Sequence, residues 1–395
     1  MVSAENNARA LDPMPLNDEG PVRVVPTAEI AFGYDDNVQQ APEGEAVDRQ
    51  VARLSPNLQF STRRGDDRYQ LDYRPELLVY DGDRYGNRVN HNLVGLGNLG
   101  LNARNRASLN LQASRNQALL SDTNRDNNET EGDINERFAL DGRYEYGADN
   151  ARGQVHFILG YAVNRYANNR GVDGSNKQSE EYDSPSVGTA FFWRIAPKTR
   201  ALTDVTYTDY RYQWDQSTLD SDNLNTSVGL SWEATAKTQG EIRLGRERKS
   251  FADPAKPDEM ATSWQAEIIW EPTSFSTVTL ASSSNLDEGS EGADNQTRES
   301  AIRARDYDIS WRHEWNSRFA TEIGYQRLNE DYIAASGRNV GRVDRTREVS
   351  LSLQYRFRRW MDVGLTATQR DKDASVGPAS SYQQNVYFLS LEVSL

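Results

Sequence analysis

Residues 385–395 read NVYFLSLEVSL. Tyr387, Leu389, Leu391, Val393 and Leu395 make an unbroken apolar row, and Ser390, Glu392 and Ser394 fill positions between them. Successive side chains of a strand point to opposite faces, so this stretch reads as a strand with one apolar and one polar face. The same two-residue period recurs along the chain. Val349, Leu351, Leu353, Tyr355 and Phe357 carry it, as do Tyr69, Leu71 and Tyr73. So do Val155, Phe157, Leu159 and Tyr161, then Val187, Thr189, Phe191 and Trp193, and Met361, Val363, Leu365 and Ala367. No helical period competes with it.

Composition sets the second constraint. Only 36% of the 395 residues are hydrophobic, 26% are charged, and the net charge is −14. Soluble domains carry about 45–50% apolar residues, so bulk hydropathy alone would suggest an acidic, partly disordered chain. The 19 Tyr, 11 Phe and 8 Trp argue against that. No stretch approaches the roughly 18 apolar residues of a membrane-spanning helix. The absence of cysteine excludes disulfides, zinc–thiolate sites and thiol nucleophiles. An acidic chain with no basic patch is a poor partner for nucleic acid. Residues 1–20 show no basic region followed by an apolar core, so no signal peptide is read there. They are expected to form a flexible periplasmic segment ahead of one barrel domain, residues 21–395.

The connections alternate in length. Short turns fall near Arg63, Ala103, Gly147, Ala196, Thr235, Glu271, Trp315 and Phe357. Long polar stretches fill the other gaps, among them 120–133, 168–183, 252–259, 286–300 and 335–345. About eighteen strands, with about eight short turns and nine long loops, is the layout of a transmembrane antiparallel up-and-down β-barrel with periplasmic turns and extracellular loops. A propeller would need a motif repeating at fixed period, and none is present. A sandwich would bury the tryptophans in a core. A closed barrel in the bacterial outer membrane instead gives the apolar face lipid and the polar face water, with no free sheet edge.

Strand parity then assigns faces. The charged residues expected to line the lumen are Glu29, Arg53, Asp72, Arg74, Glu76, Asp141, Arg143, Glu145, Arg194, Asp204, Glu241, Arg243, Glu267, Asp308, Arg312, Glu322 and Asp362. Phe192 and Tyr210 share that parity. The acids outnumber the bases in this set, which predicts a preference for cations. Trp193, Trp232, Trp270, Trp315 and Trp360 lie near short turns and are expected to form an interfacial girdle. In strand 4, Val94 and Leu96 fall on one parity and Leu99 and Leu101 on the other, which predicts a register slip.

Motifs for chemistry are sparse. Gly95, Gly97 and Gly100 spell G-x-G-x-x-G, but no helix pattern follows, so they read as small lumen-facing residues. The histidines are His91, His156 and His313, and His91 could meet Asp35 or Asp36 at the external rim. The acidic loops lack the spacing of a dedicated calcium loop. No catalytic, metal or cofactor site is assigned.

At the N-terminal end the sequence reads IAFGYDDNV (30–38), ARLSPNLQFST (52–62) and DRYQLDYRPELLVYDGDRYGNRVNHNL (67–93), followed by ASLNLQASRNQ (107–117). This order resembles the bacterial β-barrel porin type 2 group, which includes barrels encoded with exopolysaccharide export systems. The resemblance covers roughly the first 115 residues in detail and the rest as general barrel patterning. It implies a conduit for secreted polysaccharide that works with a periplasmic polysaccharide-export protein. The final strand Tyr387, Leu389, Leu391, Val393 and Leu395 likewise resembles the signal read by the barrel-assembly machinery, with Leu395 in place of the commoner terminal aromatic.

Three readings follow. The first is a monomeric eighteen-stranded conduit, in contact with outer-membrane lipid and lipopolysaccharide, that passes a polysaccharide. The second is a general or cation-preferring diffusion porin for small solutes, which an inward-folded loop at 120–133 or 168–183 would favour. The third is a rim hydrolase using His91 with Asp35 or Asp36.

Overall fold

The computed structural model describes residues 15–17, 20–82, 86–118, 131–170, 177–235, 237–291, 297–334, 340–375 and 381–394. Eighteen antiparallel strands make one sheet, and each pairs with its neighbours in sequence. They are β1 Arg23–Asp35, β2 Arg49–Arg64, β3 Asp67–Tyr80, β4 Arg88–Asn102, β5 Asn105–Gln117 and β6 Ile134–Tyr146. Next come β7 Gly153–Tyr166, β8 Tyr182–Ala196, β9 Thr199–Tyr212, β10 Ser221–Thr235, β11 Thr238–Phe251 and β12 Glu259–Thr273. The last are β13 Ser276–Glu291, β14 Thr297–Glu314, β15 Phe319–Ile333, β16 Val343–Arg358, β17 Met361–Ala374 and β18 Tyr382–Ser394. A 3-10 turn, Lys177–Glu180, precedes β8.

The sheet closes on itself where β1 pairs with β18, from Thr27 opposite Ser394 to Asp35 opposite Val386. Outward rows meet across this seam: Ile30, Phe32 and Tyr34 stand beside Leu391, Leu389 and Tyr387. Phe32 is 67% exposed and Leu389 59%. Each such side chain would cost about 1.5–3 kcal/mol to leave in water, and the rows encircle the molecule. Lipid is the solvent that relieves this cost.

The loop end of the seam is fastened by the GYDDNV stretch. The Gln384 amide donates to both oxygens of Asp35 at 3.0 Å. Asn385 donates to Asp36 from its backbone at 2.6 Å and its side chain at 2.7 Å. Asn37 donates to the Gln383 carbonyl at 2.8 Å. Beside this clasp Val38 packs with Val51, Leu78 and Tyr80.

Several details differ from the sequence expectation. The β3–β4 ladder runs without a shift from Arg68 opposite Asn98 to Leu78 opposite Arg88, so strand 4 has no slip at Val94 and Leu96. Both point inward with Asn92, and the outward row is Leu93, Gly95, Gly97 and Leu99. Gly95 and Gly97 are therefore not lumen residues; Leu71 and Leu111, and Tyr69 and Leu109, close over them from the neighbouring strands. The register shifts in β4–β5, β8–β9, β10–β11, β12–β13 and β16–β17 sit at the short turns, and a further one in β13–β14, between Ser290 and Glu291, sits at the loop end. Most of 1–20 lies outside the described residues. Within it, the Leu16 N–H donates to the Val24 carbonyl at 2.8 Å and Asn17 to Val22 at 2.6 Å, which folds that part back on β1. Residues 286–291 and 297–300, expected as loop, continue β13 and β14.

Candidate functional site: the lumen and its constriction

The charged residues assigned to the lumen from parity stand on the register face opposite the apolar rows. Several are ion-paired along the wall: Arg53 with Glu29 at 2.5 Å, Arg243 with Asp204 and with Glu241 at 2.7 Å, and Arg312 with Glu322 at 3.2 Å. Asp362 receives the Gln354 amide at 3.0 Å, with Arg356 at 3.7 Å. Asp72, Asp141, Glu267 and Asp308 have no basic partner within ion-pair distance among the described residues. They sit near the middle of β3, β6, β12 and β14. The inner face also carries bases the parity reading left out, including Arg106, Arg137, Arg200, Arg356, Arg370, Lys249 and Lys372.

Toward the loops the wall changes character. Pairing between β12 and β13 stops at Trp264 opposite Ser284, while β13 stays paired with β14 as far as Glu291 opposite Thr297. The end of the β13–β14 hairpin leaves the wall and passes inside β12. Leu286, on the outward parity of β13, packs on Ala261 of the inner face of β12. A residue that would face lipid in a regular barrel here faces the neighbouring strand.

Buried polar groups hold the hairpin there. The Leu286 N–H donates to Glu247 of β11 at 2.9 Å, and Asn223 donates to the other Glu247 oxygen at 2.6 Å. Lys249, fully buried, pairs with Glu288 and lies 4.3 Å from the centre of the Tyr210 ring. The Tyr212 hydroxyl donates to Glu288 at 2.7 Å, from β9 to β13, a chord across the lumen. A buried ammonium costs several kcal/mol to desolvate and survives only with such partners. On the far side Ser300 donates to the Ile333 carbonyl at 3.0 Å. Arg342 grips Asp344 with two hydrogen bonds, 3.0 and 2.6 Å, and lies over the Tyr332 ring at 4.1 Å.

The 3-10 turn Lys177–Glu180 comes in from the connection between β7 and β8 and lies against β13. Since β13 is not adjacent to β7 or β8 in the sheet, that contact is made inside the barrel. Lys177 bridges Asp133 and Glu180, each at 3.1 Å. Burial works against its charge, but Glu180 and Asp133 hold its pKa above the ordinary lysine value. The Tyr166 hydroxyl donates to Glu180 at 3.0 Å, and the Asn164 amide to the Glu180 carbonyl at 2.9 Å. Tyr182 stacks its edge on Tyr210 and touches Tyr212, both with ring centres 5.5 Å apart. Beside the turn a cavity of about 410 Å³ is lined on its inner side by Asn92, Gln112, Ser114, Arg137, Asn164 and Tyr182.

The remaining sequence candidates lie elsewhere. Trp193, Trp232 and Trp270 occupy outward positions at the turn ends of β8, β10 and β12. Trp315 and Trp360 stand in turns and are exposed. His313 lies among Trp311, Trp315 and Phe275 at the same level. His156 and Phe192 pack together on the inner face, 4.5 Å between ring centres. Tyr210 belongs to the constriction. His91 faces outward and shares a 2.9 Å hydrogen bond with Tyr73, while Asp35 is held by Gln384, so the rim pair is not brought together. Tyr387, Leu389, Leu391 and Val393 line the outward face of the closing seam, and Leu395 lies outside the described residues.

Sequence reasoning missed Lys249, Glu288, Tyr182, Tyr212, Lys177 and the hairpin. One signal was available. The outward row of β13 runs Val278, Leu280, Ser282, Ser284, Leu286, Glu288, Ser290, so beyond Leu280 only Leu286 is apolar. A strand with a polar outward row cannot face lipid and has to turn elsewhere.

Comparison with solved structures finds similar barrels at low identity. Pseudomonas aeruginosa OpdK with vanillate is 10% identical, covering 94% of this chain and 99% of that one, with a TM-score of 0.49. Pseudomonas aeruginosa OccK2 (OpdF) is 12% identical, covering 95% and 98%, with a TM-score of 0.48. Acinetobacter baumannii OccAB4 is 9% identical, covering 96% and 100%, with a TM-score of 0.46. No curated protein matches. Closed wall, lipid-facing rows and wet lumen agree with a family model that matches residues 19–395, and the chain belongs to the family described as "Putative beta-barrel porin 2", a porin of the bacterial outer membrane.

Proposed function

We infer that the barrel is a diffusion porin for small hydrophilic solutes, with a weak preference for cations. The observation that carries this is the constriction. Two segments from separate parts of the wall, the β13–β14 hairpin and the Lys177–Glu180 turn, meet inside the loop half of the lumen. Both are anchored by buried charges, so neither is a lid resting loosely on the mouth. A polysaccharide conduit, the role implied by the family resemblance, needs a bore that stays open to a chain of linked sugar rings. A fixed constriction suits solutes that pass singly.

The polar groups around it suit hydrated cargo. The amides of Asn92, Gln112 and Asn164, the Ser114 and Tyr182 hydroxyls and Arg137 line the cavity beside the turn, and they can replace the hydrogen bonds of a small solute as it sheds water. Below, the carboxylates of Asp72, Asp141, Glu267 and Asp308 supply the cation preference. Arg74 and Arg143 follow Asp72 and Asp141 on the same inner rows, which keeps the preference weak.

Swelling of liposomes that contain the purified barrel tests this. Passage of monosaccharides and amino acids, exclusion of dextran chains, and a steady open conductance in planar bilayers are the expected results. Passage of the polymer, or a barrel silent until a periplasmic partner is added, would restore the conduit.

A further inference from the structure

On the outward face of β14–β16 the apolar belt ends in a row of arginines. Ile309, Tyr325 and Val349 lie side by side across the three strands. One step toward the loops the row is Tyr307, Arg327 and Arg347, and the next is Arg305, Asn329 and Arg345. Beyond it Arg303, the register partner of Leu286, turns with the hairpin toward the inner face of β12 and leaves the outward row. Arg345 and Arg347 are exposed.

These charges are poorly matched within the protein. Arg305 pairs with Asp331, and Arg327 donates to the Asn329 side-chain oxygen at 3.0 Å. Arg345 and Arg347 have no carboxylate within ion-pair distance among the described residues. On β17 Asp373 stands opposite Arg345 and Asp371 opposite Arg347, but neither carboxylate comes within ion-pair distance of its arginine, and Asp371 is bonded at 3.0 Å by the Gln383 amide. Several arginines elsewhere on the outward face near the loops do have an acid: Arg115 with Glu136, Arg165 with Asp183, Arg211 with Asp209 and Arg248 with Asp258.

Like charges directly opposite each other weaken a sheet, and Arg327 stands directly opposite Arg347. Guanidinium groups cannot relieve this by losing a proton. An anion seated across both would relieve it, and planar guanidinium forks match phosphate oxygens. The patch lies where the lipid-facing belt gives way to the loops, at the level of the outer-leaflet headgroups.

We propose that this patch binds the phosphorylated headgroup of an outer-leaflet glycolipid. The phosphate lies across Arg327, Arg345 and Arg347, and the acyl chains run down the belt formed by Val349, Leu351 and Ile323. The site is independent of what passes through the lumen. It ties the barrel to its membrane on the β14–β16 side.

The test is native mass spectrometry of the detergent-solubilised full chain titrated with bisphosphorylated lipid A, with its dephosphorylated form, and with inorganic phosphate as competitor. The phosphorylated lipid should bind and the dephosphorylated form should not. Arg345→Ala with Arg347→Ala should weaken binding about thirtyfold, from roughly a fivefold step per arginine near an anionic surface. Arg345→Lys with Arg347→Lys should retain most of it, and the heat-dependent gel shift of a folded barrel checks that both variants fold. Wild-type affinity in the alanine variant, or equal binding of the dephosphorylated lipid, would overturn the site. Displacement by inorganic phosphate at the lipid's own concentration would show a free-anion site and overturn the lipid assignment.

Discussion

Two clusters of buried polar side chains sit near the loop end of the barrel and do opposite work. The clasp Asp35, Asp36 and Asn37 holds β18 to β1 and completes the wall. The anchor Lys249, Glu247 and Glu288 holds a hairpin off the wall and narrows the lumen. The clasp joins strands that the backbone ladder already pairs along its length. The anchor replaces a ladder that stops at Trp264 and Ser284. Stability of the barrel and size of its passage therefore rest on different residues, and they can be changed separately.

Breaking the anchor should have the largest effect. Lys249→Met keeps the bulk but leaves Glu288 without its cation, and losing one member of a buried pair costs about 3–5 kcal/mol. The cost is local, because β11 keeps its ladders to β10 and β12. The hairpin should leave its seat and single-channel conductance should rise, with little change in the temperature at which the barrel unfolds. Unchanged conductance would mean that the hairpin does not set the passage.

The clasp should give the reverse pattern. Asp35→Asn with Asp36→Asn removes charge-assisted hydrogen bonds worth about 1.5–3 kcal/mol each. The unfolding temperature of the barrel should fall while conductance stays near wild type. Equal loss of both properties would show that seam and constriction are coupled.

This contrast also explains what the sequence disclosed. The wall was legible because lipid imposes one rule on every strand: rows such as Leu389, Leu391 and Val393 have to be apolar and have to alternate. The clasp was visible as GYDDNV, since its partners lie in one stretch and at the chain's other end, although its role was not. The constriction was illegible for a physical reason. Its partners Tyr212, Lys249, Glu288 and Lys177 come from four separate segments, and period-two patterning carries no information about which inner residues meet across a lumen. Leu286 was read as the start of a polar loop, yet it continues β13 in the outward phase and packs on the inner face of β12. The lumen acids were easier to assign than its balance of charge, because many arginines beside turns and loops share the inner phase.

A gentler change sharpens the anchor. Tyr212→Phe removes only the hydroxyl that reaches Glu288 across the lumen and leaves the Lys249 pair intact. One hydrogen bond to a charged group is worth about 1.5–3 kcal/mol, so the hairpin should loosen without leaving. Conductance noise should increase and mean conductance should change less than in Lys249→Met. A change as large as that of Lys249→Met would place the main restraint at the tyrosine.

The smallest effect belongs to the turn half of the lumen. Asp72→Asn with Asp141→Asn removes two carboxylates that have no basic partner among the described residues and leaves Arg74 and Arg143 beside them. Both sites face a water-filled space, where a unit charge at 4 Å is worth about 1 kcal/mol. The ratio of cation to anion permeability, read from the reversal potential across a salt gradient, should fall a few-fold at low ionic strength. It should converge with wild type near 1 M salt, where the screening length shrinks to about 3 Å. Conductance itself should barely move, because the passage is narrowed elsewhere. If the ratio is unchanged at low salt, selectivity is set at the constriction, and the charges that matter lie there, Arg137 among them, rather than on the mid-wall carboxylates.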